Sequence, residues 1–375
     1  MRFVYFTHSL VSDWNHGNAH FLRGVVRELQ ERGHAVRLLE PRGGWSRENL
    51  RADRGPAAED EFRRAFPRLS SETYDPAAPD LDRALDGADV VIVHEWNDHG
   101  LVAEIGRRRA AGGGFRLLFH DTHHRSVSDP AAMARYDLSA YDGVLAYGAV
   151  IAEIYRAAGW GRRAWAWHEA ADTALFRPIE AATEGDLVWI GNWGDDERTA
   201  ELHEFLLGPV RTLGLRAAVH GVRYPEEAKA ALAEAGADYR GYLPNHEAPA
   251  VFARHRLTIH VPRRYYVEAL PGIPTIRPFE ALACGIPLLS APWTDSEGLF
   301  RLGRDFLFVR DGAEMARRIR EVLSDDGLRD SLVRSGLETI RARHTCGHRA
   351  EELLDICRSL GSGAPHLEEA RRWPD

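Results

Sequence analysis

Residues 3–39 read FVYFTHSLVSDWNHGNAHFLRGVVRELQERGHAVRLL, and this stretch decides the architecture. Phe3–Thr7 is a short, nearly unbroken apolar run, the pattern of a strand covered on both faces. Asn18–Arg32 carries Phe21, Leu22, Val25, Val26 and Leu29 on one stripe at helical spacing, and Gly33 ends it. Ala35–Leu39 is apolar again. Strand, amphipathic helix and strand in this order predict a parallel sheet with helices on both faces.

The alternation continues outward. Residues 45–87 are polar, contain prolines and are read as helical in part. Val90–His94, Arg116–His120 and Gly143–Tyr147 are three more expected strands. Residues 169–185 lack apolar periodicity and read as a linker around Phe176-Arg177-Pro178. The pattern then restarts with strands at Leu187–Ile190, Arg216–His220, Leu257–Val261, Pro287–Ser290 and Phe306–Val309. Helices are expected near 196–207, 225–235, 246–255, 275–284, 313–324, 326–343 and 346–360. The chain thus divides into a first α/β unit (1–168), a linker (169–185), a second α/β unit (186–345) and a C-terminal segment (346–375). That last segment is a helix placed to pack back on the first unit, followed by a loose polar tail. Two doubly wound sheets leave a cleft between them, and ligands of such sheets sit at the carboxyl ends of the strands.

Composition removes several classes of function. The 375 residues carry 48 basic and 56 acidic side chains, a net charge of −8, with Lys229 the sole lysine. A mildly acidic chain without basic runs argues against nucleic acid as a partner. The three cysteines, Cys284, Cys346 and Cys357, form no Cys-x-x-Cys pair, so neither a disulfide framework nor a zinc site is expected. No apolar run reaches the roughly 18 residues that span a bilayer, and the N-terminal apolar stretch is too short for a signal peptide. A cytoplasmic protein is expected, with peripheral membrane contact left open.

The strand ends carry the chemistry. After the first strand comes His8-Ser9-Leu10-Val11-Ser12-Asp13, without the Gly-x-Gly-x-x-Gly that dinucleotide binding needs, and no P-loop occurs. The second unit opens with Gly191-Asn192-Trp193-Gly194-Asp195-Asp196-Glu197-Arg198, a turn whose backbone N–H groups would favour a phosphate. Arg223, Arg263, Arg264 and Arg277 fall at other strand ends or helix starts of that unit, and fixed guanidinium groups suit a departing diphosphate without a metal. Glu280 is placed to accept ribose hydroxyls. In the first unit, His120-Asp121-Thr122-His123-His124 ends one strand and His94-Glu95-Trp96-Asn97-Asp98 another. His120 is expected to line the cleft, Trp96 to stack on a sugar, and Glu95 or Asp98 to contact an acceptor. Asp80-Leu81-Asp82 reads as helix capping, not as a metal motif.

Taken together, these features resemble the GT-B glycosyltransferases. His168-Glu169-Ala170-Ala171-Asp172-Thr173-Ala174-Leu175-Phe176-Arg177-Pro178 is similar to the interdomain segment of the group 1, family 4-like enzymes. Ile273-Pro274-Thr275-Ile276-Arg277-Pro278-Phe279-Glu280-Ala281-Leu282-Ala283-Cys284-Gly285 resembles their donor-nucleotide motif, most closely in the CgeB-type branch. The resemblance implies two Rossmann-like domains and a hexosyltransferase-type enzyme of bacterial glycan biosynthesis. It would move a sugar from a nucleotide-diphosphate sugar to a glycan, lipid or small-molecule hydroxyl, with neither cofactor nor obligatory metal. His120, Arg198 and Arg277 are the implied catalytic residues. Gly191, Asn192, Arg223, Tyr242, Leu243, Arg263, Arg264, Phe279 and Glu280 would bind the donor. His16, Gly17, Asn18, Glu95, Trp96 and Asp98 would bind the acceptor. The sequence departs from the family's Glu-x7-Glu at its first member, which is Gly272 here; Glu268 is the nearest glutamate upstream. Retention of configuration is the favoured stereochemistry; inversion would need a base such as Glu95, Asp98 or His120. A nucleotide-sugar epimerase of the same shape and an inactive carbohydrate-binding protein are the rival readings.

Overall fold

The computed structural model describes residues 1–361; the tail read as loose lies outside them. Residues 1–166 form a seven-stranded sheet and residues 185–308 a six-stranded one, every strand pair parallel. The first contains β1 (Arg2–Phe6), β2 (Ala35–Pro41), β3 (Glu72–Tyr74), β4 (Val90–His94), β5 (Arg116–Asp121), β6 (Gly143–Ala146) and β7 (Ala164–Ala166) in the order β3-β2-β1-β4-β5-β6-β7. The second contains β8 (Gly185–Ile190), β9 (Ala217–His220), β10 (Ala237–Tyr239), β11 (His255–His260), β12 (Leu288–Ser290) and β13 (Leu307–Phe308) in the order β10-β9-β8-β11-β12-β13. In each sheet the order reverses beside the first strand, which opens a crevice at the carboxyl edge.

The central strands are apolar on both faces because helices cover both. In β4, Val90, Val91, Ile92 and Val93 are all fully buried. The Asn18–Glu31 helix lays Phe21, Leu22, Val25, Val26 and Leu29 on the first sheet. The Cys346–Gly361 helix lies against that helix. Gly24 allows the contact, since a Cβ there would stand 2.4 Å from Cys346 Sγ and 2.9 Å from Asp172 Cβ. Trp167 Nε1 donates to the Arg349 carbonyl at 2.9 Å. The chain therefore crosses between the units twice, and the crossings touch: Ala171 pairs with Thr345 in a parallel bridge.

The expected helix at 196–207 is broken. Gly194 turns left-handed, Asp195–Glu197 is a 3-10 turn, Thr199–Leu202 one α-turn and His203–Leu207 a π-helical segment that runs on into Gly208–Leu213. Among the described residues no helix is long and apolar enough to cross a membrane.

Candidate functional site

A cleft of about 610 Å³ lies between the carboxyl edges of the two sheets. His8 after β1, Trp96 after β4 and Thr122, His123 and His124 after β5 face Asn192 after β8, Arg223 after β9 and Arg263 after β11. Among the described residues four non-glycine residues have left-handed backbone: Asn15 (φ 48°), Asp195 (50°), Arg223 (60°) and Thr275 (59°). All four line this cleft. Such strain persists only where the surroundings impose it, and it gathers at functional sites. Thr275 is the most costly, being β-branched.

Three arginines converge on the second-unit wall. Arg198 donates to the Asn192 carbonyl and Oδ1, each at 2.6 Å, and to the Val261 carbonyl at 3.1 Å, and lies over Trp189. It has no carboxylate at ion-pair distance, and its Nε has no partner. Burial, then the neighbouring Arg263 and Arg277, pushes its pKa down to about 9. Arg263 pairs with Glu197 at 2.9 Å and reaches Asn192 Oδ1 at 3.3 Å. Arg277 pairs with Glu280, whose other oxygen accepts from Asn245 at 2.7 Å. His20 Nδ1 lies 3.3 Å from the same carboxylate. Burial holds that imidazole at about 3, so it is neutral and forms no ion pair. The Ile276–Cys284 helix starts in the cleft beside Arg277, after the strained Thr275.

The wall of the first unit is different. Trp45 and Trp96 are 42% and 40% exposed, and their rings lie 5.0 and 6.4 Å from that of His8. Burial lowers His8 and His124 to about 4, and His16 and His123 well below the ordinary imidazole value. Glu169, from the crossing segment, is buried where Asn18 Nδ2 lies 3.5 Å from its Oε1, and burial pushes its pKa up to about 8. Asp13 is paired with the buried Arg23 and accepts from Tyr242 across the cleft. Asn15 and Asn192 also meet across it, at 2.6 Å.

Of the residues singled out from sequence, the cleft gathers His16, Gly17, Asn18, Trp96, Gly191, Asn192, Arg198, Arg223, Tyr242, Leu243, Arg263, Arg277 and Glu280. Several others stand elsewhere. His120 lies behind the wall, packed edge-on to Trp167 at 4.9 Å, because β5 runs on to Asp121 and the loop opens only at Thr122. Glu95 is buried beneath that loop, accepting from the Thr122 N–H at 3.1 Å; burial, then the adjacent Asp121, pushes its pKa well above the ordinary carboxylate range. Asp98 caps the His99–Ala110 helix through Gly100 N–H at 2.7 Å. Phe279 is core, against Phe300 and His344. Arg264 is exposed on the outer surface beside Glu201. Gly191 lines the cleft, but its N–H is spent on the His220 carbonyl at 2.9 Å, so it has no donor left for a phosphate. Asp80 caps the Leu81–Leu85 helix through Arg83 N–H, as its context implied.

At Gly272 no side chain fits: φ is 93°, and a Cβ would stand 2.9 Å from Glu297 Oε1. Glu268 is exposed. Sequence reasoning passed over Asp13, Asn15, Trp45, Glu169 and Thr275 as site residues. Only Trp45 carried a signal, as an aromatic in an otherwise polar segment. Among the described residues no group of three His, Cys, Asp or Glu side chains could hold a metal.

Residues 198–355 match the sequence model of a family described as "Glycosyl transferase-like". No curated protein matches the chain in sequence. Among solved structures, sucrose-phosphate synthase from Thermosynechococcus elongatus superposes with a TM-score of 0.65 at 13% identity, covering 97% of this chain and 100% of that one. Anabaena Alr3699/HepE in complex with UDP and glucose gives 0.67 at 13%, covering 96% and 100%. An alpha-glucosyltransferase in complex with UDP and a 13-mer DNA gives 0.66 at 14%, covering 96% and 99%. The two parallel sheets facing one cleft are the GT-B fold of glycosyltransferases.

Proposed function

We propose that the protein transfers a sugar, a hexose in the simplest case, from a nucleotide-diphosphate sugar to an acceptor hydroxyl. The second unit holds the donor and the first holds the acceptor. The observation that carries this reading is Arg198, a half-buried guanidinium with no carboxylate at ion-pair distance, pressed by two further arginines. Burying an uncompensated cation costs several kcal/mol, and a bound anion offsets that cost. A diphosphate between Arg198, Arg263 and Arg277 meets the requirement, and the backbone N–H groups opening the Ile276–Cys284 helix add to it. Glu280 accepts ribose hydroxyls, Tyr242 and Leu243 flank the base, and Arg223 guards the rim. The UDP held in complexes of two structural neighbours supports a donor of this type.

The bond from the sugar's anomeric carbon to the diphosphate oxygen breaks while that carbon bonds to the acceptor oxygen. The negative charge developing on the diphosphate falls among the arginines, which supply the electrostatic stabilisation without an obligatory metal. Neither Glu95, Asp98 nor His120 lines the cleft, and Asp13 is occupied by Arg23 and Tyr242. In this reading the acceptor's proton passes to the leaving diphosphate, on the face it departs from, and configuration is retained.

Calorimetry with UDP and GDP tests the donor site: Glu280→Ala and Arg277→Ala are each expected to weaken the nucleotide that binds, and unchanged affinity in both would reject the assignment. Product NMR is expected to show the donor's anomeric configuration. Incubation with donor alone is expected to leave its sugar unepimerised; an epimerised nucleotide sugar would favour the epimerase reading.

A further inference from the structure

We propose, resting on the reading of this cleft as a site of sugar transfer, that the acceptor is an uncharged sugar whose ring stacks against the indoles of Trp45 and Trp96. Charge is divided sharply across the cleft. Its four cationic side chains, Arg198, Arg223, Arg263 and Arg277, all come from the second unit, and the first unit contributes none among the described residues. The first unit's histidines do not make up the difference, because burial keeps each of those lining the cleft neutral near pH 7. The acids on this side are likewise silent: Asp13 is matched by Arg23, and Glu169 holds its proton. Arg125, the first-unit cation beside Trp96, stands outside the lining: its guanidinium lies over the Trp96 ring at 5.0 Å and donates to the Glu95 carbonyl at 3.4 Å and the Tyr136 hydroxyl at 3.5 Å. A phosphorylated sugar or a phosphate headgroup would have to lose its hydration here with no cleft-lining cation of this unit to receive it.

What this wall offers instead is aromatic surface with polar groups set into it. Trp45 and Trp96 are large apolar side chains left exposed, and both face the cleft. His8 lies within ring contact of both, is itself only 7% exposed, and its Nε2 has no partner. His123, edge-on to Trp96 at 5.2 Å, leaves Nδ1 without one. A pyranose presents a flat C–H face to an indole and hydroxyls around its rim to such nitrogens. A flat aromatic alcohol would cover the indoles but leave most of the polar groups unpaired, which costs binding.

The test is saturation-transfer NMR on the UDP-loaded protein. The probes are the methyl glycosides of glucose, galactose and mannose, the corresponding sugar 6-phosphates, and 4-methylumbelliferone. At least one neutral glycoside is expected to bind at least about tenfold tighter than its phosphorylated counterpart and than the aryl alcohol. Trp45→Ala and Trp96→Ala are each expected to weaken it roughly three- to tenfold while UDP affinity by calorimetry stays unchanged. Both side chains are exposed, so the core survives their removal. Tighter binding of the phosphates, preference for the aryl alcohol, no binding of any neutral glycoside, or Trp variants that bind as before would each overturn the proposal. Failure of the wild-type protein to bind any of UDP, GDP or their sugars would instead overturn the underlying reading of the cleft.

Discussion

Arg198 shows what a single residue contributes to the site and costs the fold. Its two terminal nitrogens donate to carbonyls and to Asn192 Oδ1, none of which carries a full negative charge. Arg198→Met, which keeps the stem over Trp189, is expected to weaken nucleotide-diphosphate binding by about 10- to 100-fold, the loss of a charged hydrogen bond. The same change is expected to raise the melting temperature of the ligand-free protein, since a poorly compensated, half-buried charge disappears. Calorimetry and a thermal melt read the two effects separately. Glu169 makes a second residue-scale prediction. Its carboxyl titrates at about 8 in the fold against an ordinary value of 4.5. Between those values the native state keeps a proton that the unfolded chain has lost. Stability therefore falls as pH rises through that window and is fully present below it. Glu169→Gln is expected to flatten this fall in urea titrations from about pH 5 to about pH 8.

At the scale of elements, the buried strands were legible because helices on both faces demand unbroken apolar runs, and β1, β4, β5 and β8 have them. The three strands absent from the sequence reading, β3, β7 and β10, are three-residue edge strands. They are held by a neighbour's backbone and carry no period of their own. The arginine-rich edge of the second sheet was legible from strand ends alone. The depth of each side chain was not, since one residue more in β5 takes His120 out of the cleft and brings Thr122 to its mouth. Nor does sequence reveal that Gly191 spends its N–H within the sheet edge, or that Asn15 and Thr275 adopt left-handed backbone. The contact between the Asn18–Glu31 and Cys346–Gly361 helices depends on the missing side chain at Gly24. Gly24→Ala would drive a methyl into Cys346 and Asp172, and is expected to cost about 1–3 kcal/mol by urea denaturation, with nucleotide affinity kept.

Over the whole molecule, the units are joined by paired crossings and by contacts across the cleft. Asn15 with Asn192, Asp13 with Tyr242, His168 with Glu297 (2.9 Å) and Tyr147 with Tyr266 all bridge them. One apolar cluster also runs from Phe3 through Trp167 and Phe176 to Phe279, so the two cores are continuous. The protein is expected to melt in a single transition. A nucleotide that prefers the folded state should raise stability by about 2.7 kcal/mol at a hundred times its Kd. A scan showing two transitions, with only the later one moved by UDP, would mean that the units melt independently.

The return of the Cys346–Gly361 helix to the first unit has a consequence for biosynthesis. Phe21 and Val25 are synthesised first, and Cys346, Ala350 and Leu353, which join them in one apolar cluster, leave the ribosome some three hundred residues later. The nascent first unit must wait with that flank bare while those intervening residues are made, a long interval in which chaperones would be the natural cover.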